Sequence, residues 1–72
     1  MARNIGADAT EMWRAALIFK EPETGELVYQ YNGLYSKRST AVQLISSFRN
    51  SHPDFYDGWP EKATLTWHKE KD

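Results

Sequence analysis

The sequence contains no cysteine among its 72 residues, which excludes disulfides and thiolate chemistry. Its two histidines, His52 and His68, are too few for a structural zinc site without cysteine ligands. The four glycines are scattered, so no glycine-rich phosphate-binding loop is present. We therefore expect neither a cofactor nor a metal ion.

The chain also lacks an excess of charge and a long apolar run. Nine basic and ten acidic residues give a formal net charge of −1, whereas general nucleic-acid binders usually carry a marked basic excess. The longest apolar run, residues 15–19, is far shorter than the roughly 20 residues that span a bilayer. The N-terminus has no apolar signal region. We therefore expect no membrane partner and a cytoplasmic location.

A helix is predicted between residues 36 and 50. Its apolar residues recur at the i, i+3, i+4, i+7 spacing of a helix that lies on a core. Ser36 and Ser39 are both suitable N-caps, and Pro53 disfavours helix in the residue before it. The apolar stripe consists of Ala41, Leu44, Ile45 and Phe48.

The outward face of this helix is polar but carries no charge. Gln43 and Ser47 on that face are candidate contacts for a protein partner, because uncharged groups can be buried in an interface without leaving a charge unpaired. An ordinary solvent-facing surface is the alternative. Lys37, Arg38 and Arg49 flank the apolar stripe and could contact phosphate, or lie with their aliphatic stems along the core edge.

Three strands are predicted around the helix. Residues 11–20 are apolar on both sides in the middle, as in a central strand, and a proline- and glycine-containing turn leads to a second strand at 27–35, where Gly33 indicates a bulge. Residues 51–61 contain two prolines and a glycine and indicate a loop, and residues 62–70 alternate as a third strand. The order β-β-α-β predicts an α+β fold with an antiparallel sheet in the order 2-1-3 and the helix on one face.

Residues 1–10 show no periodicity and are predicted to be a flexible arm, so that residues 11–70 form a single domain. A core of this size leaves a small stability margin, which makes a homodimer a reasonable expectation. The sheet face away from the helix is the candidate dimer face, with an edge strand as the alternative, unless the N-terminal arm covers that face. Its predicted residues are Met12, Ala16, Ile18, Val28, Thr64 and Thr66.

The predicted loop at 51–61 is rich in aromatic residues. Phe55, Tyr56 and Trp59 either cap the open end of a small core or form a hot spot for a protein partner. They are our main candidates for partner binding. A Ser-His-Asp set could be drawn from His52, Asp54 and any serine, but the sequence offers no oxyanion hole, and we expect no enzymatic activity.

Two nucleic-acid-related functions remain as alternatives. Lys37, Arg38 and Arg49, with aromatic residues nearby, could bind nucleic acid. Alternatively, the three glutamates of the hairpin could form part of an acidic mimic of DNA that inhibits a host protein, although the near-neutral net charge weighs against it. These glutamates are Glu21, Glu23 and Glu26.

Three segments carry a resemblance to a group of known proteins. They are the apolar strand at 15–19, the tyrosine-rich segment at 28–37 that leads into a Ser-Lys helix start, and the ending Leu65-Thr66-Trp67. In these the chain resembles small uncharacterised ββαβ proteins encoded by phages of actinobacteria. This resemblance implies a phage-type origin, and thus a location in the cytoplasm of the host cell, more than it implies an activity.

A second resemblance is to the small uracil-DNA glycosylase inhibitor of Bacillus phages, which is also a dimeric, tyrosine-rich ββαβ protein. The chain matches its second strand at Gly25, Tyr29, Tyr31, Gly33 and Leu34. It departs at Gln30, where that family has a glutamate, and this weakens the DNA-mimic hypothesis. The sequence as a whole predicts a non-enzymatic accessory protein that binds a protein partner.

Overall fold

The computed structural model describes residues 7–71. The described chain forms two strands, a helix and a third strand: β1 at Glu11–Lys20, β2 at Leu27–Tyr35, α1 at Arg38–Ser51 and β3 at Phe55–Thr64. The sheet has the order β2-β1-β3, and β1 pairs antiparallel with both neighbours. The predicted α+β fold, with its sheet order 2-1-3, is confirmed.

The hairpin that joins β1 to β2 forms because Gly25 adopts a left-handed conformation with φ of 75°. The N–H of Gly25 donates to the carbonyl of Glu21, and the N–H of Glu21 donates to the carbonyl of Glu26, both at 2.8 Å. These bonds close the turn, so that both strands begin and end where their sequence patterns predict.

The predicted interruption of β2 at Gly33 is confirmed as a bulge. Gly33 pairs with Arg14 and Tyr35 pairs with Trp13, so Leu34 has no partner on β1. Because side chains alternate along a strand, one extra residue moves the residues after it to the other face of the sheet. Tyr35 consequently packs against the core.

The helix begins between the two positions that the serine pattern predicts. Lys37 is the N-cap, with an extended backbone (φ −132°, ψ 140°) and no side-chain cap hydrogen bond. The prediction that Ser36 or Ser39 caps the helix is therefore wrong, because one precedes the cap position and the other lies in the first turn. At the other end, the N–H of His52 donates to the carbonyl of Phe48 at 2.9 Å, and the helix ends before Pro53 as predicted.

The prediction of a loop at 51–61 and a strand at 62–70 is wrong. β3 begins at Phe55 and includes Gly58 and Pro60. Proline lacks an N–H and is tolerated in edge strands, and β3 is an edge of this sheet. Gly58 and Pro60, the residues that indicate a loop in the sequence, therefore lie inside a strand.

The core lies between α1 and one face of β1. Ala15 and Leu17 of β1 are fully buried against Ala41 and Ile45 of α1. Leu17 is the only large side chain among those fully buried in the described chain. The core is thin because three of the six buried residues are alanines, including Ala16 on the other face of β1.

A cluster of rings closes one end of this core. The ring of Phe19 lies edge-on to Phe48, His52 and Phe55, at centroid distances of 5.8, 6.1 and 6.1 Å. Edge-to-face contacts at this separation stabilise beyond the area they bury.

Residues at the two ends of the described chain contact each other. The N–H of Leu65 donates to the carbonyl of Thr10 at 2.7 Å, and the indole N–H of Trp67 donates to the carbonyl of Ala9 at 3.1 Å. The arm predicted at residues 1–10 falls mostly on residues 1–6, which lie outside the described residues.

Candidate functional site

The candidate site is the face of the sheet opposite α1, which we call the open face. Arg14, Ala16, Ile18 and Lys20 point to it, because they alternate with the core residues of β1. Residues directly opposite in an antiparallel pair share a face. The cross-strand neighbours on the open face are therefore Leu27, Tyr29, Tyr31 and Gly33 of β2, and Asp57, Trp59, Glu61 and Ala63 of β3.

Aromatic side chains dominate the middle of the open face. Ala16 lies between its partners Tyr31 and Trp59, and it is only 1% exposed, while Ile18 is 4% exposed. Tyr29, Tyr31 and Trp59 themselves remain 55%, 50% and 38% exposed. No helix or strand within residues 7–71 packs on this face. The result is a broad aromatic surface over a buried aliphatic floor.

A charged network fixes two of these aromatic rings. The guanidinium carbon of Arg14 lies 4.0 Å from the ring centroid of Tyr31, and its Nε donates to Oε1 of Glu61 at 2.7 Å. The other carboxylate oxygen, Oε2, accepts the indole N–H of Trp59 at 3.0 Å. Tyr31, Arg14, Glu61 and Trp59 thus form a continuous chain of contacts across three strands.

The same contacts perturb the carboxyl group of Glu61. The hydrogen bond from the Trp59 indole and then the one from Arg14 lower the pKa of Glu61 below its ordinary value of 4.5. Both bonds favour the charged carboxylate, so near neutral pH the network is held together by a full charge.

Charges on the open face balance. Arg14 and Lys20 provide the two cations within the paired strands, and Asp57 and Glu61 provide the two anions. At one end, the ammonium of Lys20 lies 5.7 Å from the ring centroid of Tyr56, which sits in a bulge of β3. The open face is therefore aromatic and electrically neutral.

The predicted dimer face is divided by the register of the sheet. Met12, Ala16 and Ile18 do lie on the open face. Val28 pairs with Phe19 and Thr64 pairs with Glu11, which places both on the side of the helix. Thr66 follows the end of β3. The assignment of Val28 and Thr64 to the open face is wrong. Alternation divides the residues of a strand into two sets, one for each face of the sheet, but it does not say which set points to the core.

The aromatic residues predicted as a loop hot spot are likewise separated. Phe55 faces the helix and packs against the core. Tyr56 is the bulged residue, and Trp59 lies on the open face. Gln43 and Ser47 are exposed on α1, on the opposite side of the sheet from Trp59. Of these five candidates, only Tyr56 and Trp59 lie together near one surface.

The basic residues also do not converge on the aromatic surface. Lys37 and Arg38 lie at the start of α1 and Arg49 lies in its last turn, about 17 Å away along the helix axis. The guanidinium carbon of Arg49 is 5.4 Å from the ring centroid of Phe55, beside the core. All three lie on the helix side of the sheet, away from Tyr31 and Trp59.

A serine and a histidine, Ser51 and His52, lie in contact at the end of α1. The Oγ of Ser51 lies 3.0 Å from Nδ1 of His52, but it donates its single proton to the carbonyl of Ser47 at 2.7 Å. This hydrogen bond directs the serine proton towards the Ser47 carbonyl and away from the imidazole. Across residues 7–71, no group of three His, Cys, Asp or Glu side chains could hold a metal ion.

Sequence reasoning missed Tyr29, Tyr31 and Arg14 as members of the surface. The alternation of tyrosines in β2 was visible, but it equally fits a face that packs on the helix. Pairing with Ala16 and Ile18 would have identified the outward face, and this pairing follows from the length of the 21–26 turn.

Comparison with family models, with curated proteins and with solved structures gives no match. The helix within the described residues is too short and too polar to cross a membrane.

Proposed function

We propose that this chain is a non-enzymatic protein-interaction module that uses the open face as its contact surface. The observation that carries the proposal is the exposure of Tyr29, Tyr31 and Trp59 side by side on that face. Large exposed apolar patches usually belong to interfaces. Tyrosine, tryptophan and arginine are the residues most enriched among interface hot spots.

Preorganisation strengthens this argument. Arg14 stacks on Tyr31, and Glu61 accepts from both Arg14 and Trp59, so the rings are held before any partner arrives. A surface that is already ordered loses less conformational entropy on binding. The network thus favours tight contact over a small area.

Nucleic-acid binding is the second candidate, and the charge distribution disfavours it. Single-stranded nucleic acid stacks on exposed aromatic rings, but it also needs a cationic groove along its phosphates. On the open face the Arg14 cation is paired with Glu61, and Asp57 offsets Lys20. The remaining candidate cations lie on the other side of the sheet. A protein surface fits this neutral face better.

The proposal extends to the setting in which the protein works. We propose a phage-type accessory protein that acts in the host cytoplasm as a homodimer. Its support is the resemblance to small phage-encoded ββαβ proteins, together with the thin core, in which alanine makes up half of the buried residues. Small domains with little buried area commonly gain stability by association.

The experiment is affinity capture from bacterial lysate with the wild-type chain, Trp59→Ala and Trp67→Ala. Trp67 provides the matched control, because it is also a highly exposed tryptophan but lies beyond the end of β3. We expect one stoichiometric protein to be retained at high salt by the wild type and by Trp67→Ala, and to be lost with Trp59→Ala. Tyr31→Ala should lose it as well.

Two other outcomes would overturn the proposal. Equal retention by Trp59→Ala and the wild type would place the contact elsewhere on the molecule. Retained nucleic acid that leaves at high salt, and that is lost with Tyr31→Ala, would assign the open face to single-stranded nucleic acid instead. Circular dichroism of each variant checks that the fold is retained.

A further inference from the structure

The two edges of the sheet are protected to different degrees against pairing with another chain. β3 contains Pro60, a bulge at Tyr56 and several charged side chains. Prolines, bulges and charges are the features by which natural proteins guard edge strands. The charged residues of β3 are Asp57, Glu61 and Lys62. These features disfavour the pairing of a further strand with β3.

β2, the opposite edge, has neither proline nor charge along residues 27–35. Its pairing with β1 is regular from Leu27 to Gly33, ahead of the bulge. Tyr29 is exposed on the open face, and Val28 is about half exposed on the other face, because α1 lies closer to β1 and β3 than to β2. An exposed, uncharged edge of strong β-formers is a site for strand pairing.

We propose that β2 pairs with β2 of a second copy of this chain, antiparallel and about a twofold axis. The pairing joins two three-stranded sheets into one continuous sheet. The inference rests on the proposed homodimer and names its interface. In a twofold antiparallel pair the residue on the axis faces its own copy, so a charge at that position would meet a like charge. β2 has no charge at any position, so a second copy can pair there without repulsion.

The side chains of β2 suit this self-pairing. With Gln30 on the twofold axis, Tyr29 lies opposite the partner's Tyr31, which gives two aromatic cross-strand pairs on the open face. The bulge at Leu34 limits the regular pairing to Leu27–Gly33, a length of about 23 Å. An interface of this size lies below the standard range for stable complexes. We therefore expect a dimer that dissociates on dilution.

Strand pairing also enlarges the proposed contact surface. A twofold axis perpendicular to the sheet keeps both open faces on the same side, with the tyrosines of the two β2 strands at the centre. The guarded β3 strands then form both outer edges, so assembly stops at two copies.

Sedimentation velocity over a dilution series tests the interface with the wild type, Gln30→Lys and Thr64→Lys. Gln30→Lys places two like charges at the twofold axis, and we expect the dimer dissociation constant to rise by about tenfold or more. Thr64→Lys adds the same side chain to an exposed position at the end of β3, and it should leave the dissociation constant unchanged. Circular dichroism confirms that both variants are folded.

The outcomes separate the interface from the homodimer. A wild-type dimer that Gln30→Lys leaves intact would overturn the β2 interface, while the homodimer itself would stand. A wild-type chain that is monomeric at every concentration would overturn both. If that monomer lost the protein captured from lysate on Gln30→Lys substitution, the edge would serve a strand of another protein.

Cross-linking gives a second measurement that needs no charged variant. The chain has no cysteine, so a single Gln30→Cys substitution can form a disulfide only between copies. We expect a covalent dimer under mild oxidation, whereas Gln43→Cys on the outer face of α1 should stay monomeric. Equal cross-linking of the two variants would contradict a specific β2 interface.

Discussion

Ile45 of α1 rests directly on the backbone of β3 at Gly58. A Cβ atom on Gly58 would lie 3.1 Å from Cγ2 of Ile45 and 3.0 Å from the carbonyl oxygen of Ala16. Glycine at this position therefore allows the helix to approach the sheet closely, and the core depends on that approach because it contains few large side chains.

Gly58→Ala should destabilise the protein by about 1–3 kcal/mol, because the added methyl group overpacks the contact with Ile45 and must displace backbone as well as side chain. Urea denaturation followed by circular dichroism measures the change. Ala63→Val, which adds bulk at an exposed site on the same strand, is the control and should stay within about 0.5 kcal/mol of the wild type. Equal stability of Gly58→Ala and the wild type would show that α1 can move away without loss.

Ile45→Ala should cost about 2–5 kcal/mol, because it removes one of the few large buried side chains and leaves a cavity beside Leu17. The matched control is Gln43→Ala, which lies on the exposed face of the same helix and should change stability little. Thermal unfolding of the three proteins at one concentration measures the difference. Similar midpoints for the two variants would contradict the packing of α1 on β1.

The contribution of Glu61 to stability should depend on pH. Its pKa is lower in the folded state than in the unfolded chain, so its stabilisation is present above about pH 4.5 and is lost as the pH falls through the lowered pKa. The carboxylate is about one-third exposed, and solvent screening limits the effect to about 1 kcal/mol or less. We expect Glu61→Gln to be less stable than the wild type at pH 7, and the difference to shrink at pH 3.

Urea denaturation at both pH values measures that difference in the free energy of unfolding. Glu23→Gln, at the exposed hairpin tip, controls for the loss of one negative charge. A constant difference between Glu61→Gln and the wild type at the two pH values would contradict the network with Trp59 and Arg14.

Arg14 and Tyr31 should be energetically coupled. A double-mutant cycle with Arg14→Ala and Tyr31→Ala should give a coupling energy of about 0.5–1 kcal/mol, the range for a cation over an aromatic ring at an exposed site. Arg14→Lys keeps the charge but loses the planar stacking, and it should not restore the full coupling. The same cycle between Arg14 and Tyr56, which lie at different ends of the open face, should give additive effects.

The fold was largely predictable from sequence where one signal dominated. β1 and β2 have their predicted bounds because the turn between them combines Pro22 and Gly25. β3 was misplaced because Gly58 and Pro60 normally end strands. Only the tertiary structure explains why these two residues lie within β3. Gly58 allows α1 to approach the sheet closely, and Pro60 lies in an edge strand, where a missing N–H is tolerated.

The candidate site was predictable only in part. The apolar character of both sides of β1 correctly placed Ala16 and Ile18 on the open face. It predicted them as part of a bare patch, whereas both are buried within the chain. Their aromatic neighbours could not be assigned, because a one-residue change of register exchanges the two faces of a strand. Trp59 was assigned to a loop for the same reason that β3 was misplaced, so its contact with Glu61 had no sequence signal.

The order of the strands has a consequence for how the chain is synthesised. The central strand, β1, is made before either neighbour, and its two edges form their hydrogen bonds at different times. β2 follows β1 after a short turn. β3 is more distant in sequence, since residue 19 pairs with residue 55 and residue 11 pairs with residue 64. Contacts this distant in sequence form slowly, because a long loop must close before they contribute. A nascent chain that has not yet released β3 from the ribosome carries β1 with one unpaired apolar edge. Synthesis of β3, rather than formation of the first hairpin, is therefore the step that covers the second edge of β1.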